Sequence, residues 1–417
     1  MHSGGCVRKD PQEKAVEEAS DYLARLPYEL IECIAKFLQP PSWPPSDSVI
    51  TDWYNLPSPQ SQKDLWSLAL VCRRFYRIIS SDLMKSLVHD FGCKNRKEEV
   101  PSYELRYRWL CQSPPVEIDS RRQIRNLFLY DLSNYTYPGV VNRRMLDLLH
   151  CFSNSLETLV LKGFCASILL ETLMDSPSTR ISSLKVLKLY TYTISVQSFS
   201  AIYNAFPNLS GLTIDAINIE DHGNQEIIQP IRTKITSIDI GTRLYATKEI
   251  QSLRRALEPV IPTLKLVSLH GEYSDGLEPI VDILNQAPIE SLFLTFRNEF
   301  PHVFMSIKIP SLTTLYISTY ASCSQNFWSA SNIHPVSHLI IRTSGCPLGF
   351  VEKEKHLCLG KNLNCLRIQS LCSGLNEKTT ERMDREVRVW CRERGIEFVN
   401  EDREKKIIEP HDAYRYI

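Results

Sequence analysis

Apolar residues along the chain fall into one recurring arrangement: apolar, two spacers, apolar, one spacer, apolar. Leu184-Lys-Val-Leu-Lys-Leu189 is its clearest instance. The arrangement starts at Ile124, Leu156, Leu184, Leu209, Ile235, Leu264, Ile289, Leu312, Val336 and Leu363, at intervals of 23 to 32 residues. In the second half of each instance, alternate side chains point to opposite faces of an extended strand. Leu187 and Leu189 therefore share one face, and Val186, Lys188 and Tyr190 the other. One short strand cannot bury its apolar side alone. Stacked in parallel on its neighbours, with a returning segment over that side, it can.

Several returning segments carry helical signals. Ser195 is placed to cap a helix whose apolar residues Phe199, Ile202, Tyr203 and Phe206 recur at three- and four-residue spacing. Thr247–Leu257 repeats this with Ile250, Leu253 and Leu257, and the segment after Leu277 with Ile280, Val281 and Leu284. Thr380–Arg394 is the longest, with Met383, Val387 and Trp390 on one side. Gly395 ends it as a C-cap, and Ile396–Val399 supplies a last strand.

Self-similarity at about 20–29 residues with L-x-x-L-x-L at its heart resembles the leucine-rich repeat family, over residues 124–400. The resemblance implies an α/β solenoid with parallel strands on a concave face and helices or loops on the convex one. The chain departs from the family in one respect. The Asn usual three residues after the last Leu is replaced by Leu132, Phe164, Tyr192, Ile217, Arg243, Glu272, Arg297, Tyr320, Ser344 and Leu371. Something else must satisfy the inner turn, and an irregular horseshoe is expected.

Ahead of the repeats, residues 1–22 are polar and read as a loose tail. Leu26-Pro-Tyr-Glu-Leu30-Ile-Glu-Cys-Ile34-Ala-Lys-Phe37-Leu38 places Pro27 in a first helical turn and Leu30, Ile34, Phe37 and Leu38 on one stripe. Residues 39–62 hold six prolines and read as an irregular loop. A second helix follows the Ser61–Asp64 cap, with Leu68, Val71, Cys72, Phe75 and Ile79 at helical spacing.

"LPYELIECIAKFL" followed by "LWSLALVCRRFYRI" resembles the F-box, a helical adaptor-docking motif, here over residues 23–82. The Leu26-Pro27 opening, Glu29-Leu30, Ile34, Phe37-Leu38, Leu65, Leu68 and Val71-Cys-Arg-Arg-Phe75 carry the likeness. The Pro-rich insertion is longer than the family's usual connection, and loops tolerate such insertions at small cost. The resemblance implies that Leu26, Pro27, Leu30, Ile31, Ile34, Leu38, Leu68, Val71, Cys72 and Phe75 dock a Skp-type adaptor, and through it a cullin. The competing reading has both helices merely capping the solenoid. In residues 83–123, Leu83, Leu87 and Phe91 suggest a connecting helix, and Tyr103–Leu110 another. Residues 401–417 form a C-terminal tail.

The strand pattern also selects outward residues: Phe128, Tyr130, Lys162, Lys188, Tyr190, Asp215, Asp239, His270, Phe293, Tyr316, His338, Arg342 and Arg367. Exposed aromatics and Arg are favoured at protein interfaces. Phe128, Tyr130, Lys188, Tyr190, Phe293, Tyr316, Arg342 and Arg367 are therefore the candidate substrate contacts. Against this stands the plain fact that every strand shows something to solvent.

The balance of charge narrows the partner class. Lys+Arg and Asp+Glu are both 48, so the chain lacks the basic excess of a nucleic-acid binder. No apolar run marks a secretory signal or a membrane span, and 13 Cys without a C-x-x-C pair read as reduced thiols. A cytoplasmic or nuclear protein is expected, with the sequons at Asn134 and Asn208 unused. No G-x-S-x-G, Walker-type or G-x-G-x-x-G motif occurs. His334 and His338 flank Pro335, and Cys358, Cys365 and Cys372 are seven apart, too wide for a metal knuckle. Neither metal, cofactor nor catalysis is expected. The chain thus reads as the target-binding subunit of an SCF-type ubiquitin ligase. An adaptor-bound scaffold without a degradation role, and an enzyme with a cryptic site, are the alternatives.

Overall fold

The computed structural model describes residues 26–27, 30–31, 34, 86–90, 124–131, 145–147, 149–175, 180–220, 234–244, 247–273, 276–296, 302–319, 335–343, 362–370 and 377–400. The chain divides into two compact units, Met1–Leu161 and Lys162–Ile417.

The first unit holds β1 (Ser86–Asp90) and β2 (Asn126–Asp131), and β3 (Thr158–Gly163) runs across its end. β1 pairs with β2 in parallel, Leu87 beside Leu127 and His89 beside Leu129. The helix expected around Leu83, Leu87 and Phe91 is therefore a strand at residues 86–90. Ser86-Leu-Val-His-Asp90 also alternates, and pairing with β2 outweighs three residues at helical spacing. The strand array accordingly begins before Ile124.

The second unit is α/β. It contains α1 (Phe164–Asp175), β4 (Val186–Ser195), α2 (Val196–Ala205), β5 (Gly211–Glu220), β6 (Ser237–Leu244), α3 (Thr247–Leu257), β7 (Leu266–Tyr273), α4 (Glu278–Gln286), β8 (Ser291–Phe296), β9 (Thr314–Thr319), β10 (His338–Thr343), β11 (Cys365–Ser370), α5 (Glu377–Glu393) and β12 (Glu397–Asn400). From β4 to β12 every strand pairs in parallel with the next in chain order. This is the solenoid-like α/β array that the repeat spacing predicts.

Each residue of the repeat has a structural task. The first apolar position, from Ile124 to Leu363, is at most 4% exposed in all ten instances. The spacer after it offers a carbonyl to two consecutive N–H groups of the following repeat. Lys185 O accepts from Ser210 N (2.8 Å) and Gly211 N (3.0 Å), and Lys265 O from Glu290 N (2.7 Å) and Ser291 N (3.0 Å). The same fork recurs at Arg125, Ser210, Thr236, Glu290, Thr313 and Ser337. The last two apolar positions form continuous rows across the sheet, Leu187–Leu212–Ile238–Val267–Leu292–Leu315 and Leu189–Ile214–Ile240–Leu269–Leu294–Ile317. Full burial of each such side chain contributes roughly 1.5–3 kcal/mol.

A hydroxyl ties successive repeats together at the strand starts in three places. Ser155, Thr263 and Ser311 stand just before the first apolar residue of a repeat. Their hydroxyls donate to the carbonyls of Ile124 (2.9 Å), Ile235 (2.6 Å) and Ile289 (2.8 Å), the first apolar residues of the preceding repeats.

The helices follow their caps. Ser195 Oγ accepts from Ser198 N at 3.1 Å to start α2, and Gly395, at φ 69°, ends the C-terminal helical run before β12. The short interval between β8 and β9 holds a 3-10 turn, His302–Ser306, instead of an α-helix. α1 has no counterpart among the sequence expectations. Cys165, Ala166, Ile168, Leu169, Leu170 and Leu173 are all buried, so its residues are apolar nearly all round and no single stripe stands out.

Candidate functional site

The strand face turned away from the apolar rows is where recognition is expected. Its central row runs Lys188–Thr213–Asp239–Ser268–Phe293–Tyr316–Ile340–Arg367 across β4 to β11. Most of that row is not open to solvent. Lys188 is 3% exposed, Asp239 8%, Phe293 9% and Tyr316 6%, and Phe128 of β2 is 7% exposed. The expectation that Phe128, Lys188, Phe293 and Tyr316 line an open surface is therefore corrected. Neighbouring strands stand only about 4.7–4.9 Å apart, so long side chains in one row lie across each other. The rings of Phe293 and Tyr316 do so at 5.8 Å between centroids.

The other expected contacts divide by position. Tyr190 and Arg342 are half-buried, as are Lys162, Asp215 and His270, whereas Arg367 and His338 are exposed. The side chain of Tyr130 lies outside the described residues. His338 Nδ1 is 2.9 Å from Ser337 Oγ.

The next row, Tyr190–Asp215–Gly241–His270–Thr295, contains a fixed polar pair. His270 Nδ1 lies 3.2 Å from Asp239 Oδ1, with 14% and 11% of the two side chains exposed. The alignment is not that of a good hydrogen bond. Gly241 makes room for the imidazole: a Cβ there would stand 2.7 Å from His270 Cε1 and 2.8 Å from Cδ2.

Beyond this row the sheet changes phase. In β4 the buried positions step by two, through Leu187, Leu189 and Thr191, and then by three to Ile194. In β5 they run Leu212, Ile214, Ala216 and then Ile219. Alternation alone turns Tyr192 (70% exposed) and Ile217 (40%) out to solvent, and the extra step after them, of the kind a bulge introduces, brings Ile194 and Ile219 back to the interior. The flanking pairs Thr191–Ala216 and Thr193–Asn218 set them side by side. Phe164, at the equivalent position one repeat earlier, is 44% exposed. Sequence reasoning noted these three only as departures from the Asn ladder. Apolar residues at a position that the family keeps polar were the available signal.

At the N-terminus, Leu30 N and Ile31 N both donate to Pro27 O at 3.2 Å. Leu30 is 48% exposed, and Leu26 and Ile34 are half-buried. Ile31 is fully buried, so an adaptor-docking role for it does not fit: its side chain already packs within this chain. Leu38, Leu68, Val71, Cys72 and Phe75 lie outside the described residues.

Among the described residues, no three His, Cys, Asp or Glu side chains are grouped to hold a metal ion. No helix among them is long and apolar enough to cross a membrane. Burial pushes the Cys391 thiol up to about 11, away from the thiolate form that a reactive cysteine needs. Fold and face together define an α/β array of parallel repeats with an apolar rim at the ends of β4 and β5. No protein-family model matches the chain, and no curated protein matches it in sequence.

Proposed function

We propose that this chain is the substrate-recognition subunit of an SCF-type ubiquitin ligase. The F-box-like segment docks a Skp-type adaptor through Leu26, Pro27, Leu30, Ile34, Leu38, Leu68, Val71, Cys72 and Phe75. The repeats hold a target protein. The subunit performs no covalent step itself. It raises the local concentration of target lysines near the ubiquitin thioester carried by the cullin-bound machinery.

The observation that carries this reading is the union in one chain of the Leu-Pro and Val-Cys-Arg-Arg-Phe motif with a stacked parallel array. The half-exposed Leu30 beside the Pro27 turn supports it, since an apolar side chain held at a helical start in solvent suits a partner site. For the target, Tyr192 and Ile217 with the neighbouring Tyr190 are the strongest contacts, and Arg342 and Arg367 mark a second, basic stretch. Tyr and Arg are among the residues that interface hot spots favour.

The test is co-purification of the full chain with a Skp-type adaptor. Leu30→Asp with Val71→Asp is expected to abolish it while the far-ultraviolet spectrum stays unchanged. Adaptor binding by the double variant at wild-type strength refutes the proposal. Proximity labelling with ligase activity blocked then identifies targets. Tyr192→Ala with Ile217→Ala is expected to lose them and to retain the adaptor. A bound partner whose abundance does not rise on deletion of the chain marks a scaffold instead.

A further inference from the structure

Parallel pairing stops early between β5 and β6. Their register runs from Gly211 beside Ser237 to Ala216 beside Thr242, and among the described residues it goes no further. On either side the strands continue. β4 stays with β5 as far as Ser195 beside Glu220, and β6 stays with β7 as far as Leu244 beside Tyr273. The sheet therefore splits at its rim into a β4–β5 ribbon and a β6–β7 ribbon, with a notch between them. Along residues 217–219 of β5, the ladder groups on the β6 side lose the strand that pairs with them below. Such an edge is a template for another chain. Apolar side chains stand beside it. Ile217 is 40% exposed at the base of the notch, and Tyr192 on β4 is 70% exposed. Ser167 Oγ lies 3.3 Å from Thr191 Oγ1, which holds the start of α1 against β4 and keeps Phe164, 44% exposed, on the same rim.

We infer that the notch receives one extended segment of the target protein, added as a short strand along residues 217–219 of β5, with an apolar side chain laid on Ile217 and Tyr192. The inference rests on the reading that these two residues contact the target, and it adds the form in which the target is held. An open strand edge selects a peptide backbone, because pairing with it needs N–H and C=O groups that alternate at strand spacing. A nucleic acid or a lipid headgroup carries no such ladder, and a helix has already used its own backbone groups internally. Backbone pairing alone is indifferent to sequence. Strands lie about 4.7–4.9 Å apart, so the residue of the added strand that falls beside Ile217 on the outward face touches it, and that contact supplies the selectivity.

The experiment selects short displayed peptides on the full-length protein, with Tyr192→Ala/Ile217→Ala as counter-selection. Both side chains are exposed, so the fold persists without them. Enriched peptides are expected to centre on an aromatic or β-branched residue. Each is then resynthesised with single N-methyl groups along its backbone. Methylation at alternate positions, those whose N–H faces β5, should raise the dissociation constant about tenfold, and at the positions between should leave it within about twofold. Hydrogen exchange at residues 217–219 should slow in the complex. A methyl scan without a two-residue period overturns the inference and leaves Tyr192 and Ile217 as target contacts of another kind. Peptides that bind the double variant equally well overturn both readings. If no amide of residues 217–219 gains protection, the notch is already filled and the inference falls. It falls equally if the chain self-associates in sedimentation and Tyr192→Ala/Ile217→Ala abolishes this, since a second copy is then the occupant.

Discussion

Gly241→Ala tests the close approach of the His270 ring to the β6 backbone. The strand backbone at Gly241 lies outside the left-handed region, so Ala is compatible with it. By itself the change should stabilise the chain by about 0.4–1 kcal/mol, through lost freedom of the unfolded state. The added methyl, however, would stand 2.7 Å from His270 Cε1 and 2.8 Å from Cδ2, well inside van der Waals contact. The imidazole must leave its place, and with it goes the 3.2 Å approach to Asp239. Forcing one extra carbon into a packed site costs about 1–3 kcal/mol. A net loss of about 1–2 kcal/mol is expected.

The control is the same change in a His270→Ala background. There the methyl meets an empty site, and Gly241→Ala should be neutral or stabilising by up to about 0.5 kcal/mol. The coupling between the two positions is thus expected at about 2 kcal/mol, within the range for residues in contact. Hydrogen exchange of the β6 and β7 amides is the suitable readout, because the chain has two compact units and one global transition is not assured. Equal effects of Gly241→Ala with and without His270 would refute the account of the pair as a steric cradle.

Two further perturbations test the fold beneath that face. Thr263→Val and Ser311→Ala each remove a hydroxyl that donates to a carbonyl of the preceding repeat, at 2.6 and 2.8 Å, and each should cost about 1 kcal/mol by hydrogen exchange of the adjoining strand amides. No loss in either would mean the hydroxyl bonds do not hold successive repeats together. Tyr203 is buried and donates to Ala256 O at 2.8 Å, and its burial pushes the phenol well above its ordinary range. Its folded form therefore stays protonated where the unfolded form ionises, so its contribution is fully present below about pH 10 and falls as pH rises beyond it. Tyr203→Phe should cost about 1 kcal/mol at neutral pH and flatten the alkaline decline. Parallel declines in the two proteins would refute that sign.

The strands were legible because L-x-x-L-x-L encodes two things at once: a closing apolar residue at the turn and a two-residue strand face. Both are local, and all ten starting residues proved buried. The helices α2, α3, α4 and α5 were legible from caps and stripes. α1 was not, since a segment buried on most sides carries no period. β1 was misread because five alternating residues also satisfy a helical spacing, and only the partner strand decides between them. The outward face was least legible. Alternation tells which side of the sheet Lys188 or Tyr316 points to, but not that neighbours in the same row shade it. The adaptor residues from Leu38 to Phe75 belong to segments outside the described residues.

The same shading is the reason for proposing the recognition surface at the rim and not at the middle of the strands. In the central row each side chain is flanked by neighbours one strand spacing away, and a substitution there disturbs packing as much as it alters contacts. Tyr192 and Ile217 stand at the phase shift, one residue after Thr191 and Ala216 have closed the interior. Their side chains can change without touching the rows built on Leu187 and Leu189. A repeat array that must keep every turn closed can therefore vary its specificity at those positions at little cost in stability. Variation at Asp239 in the central row and at His270 beside it would instead be tied to the glycine that seats the ring.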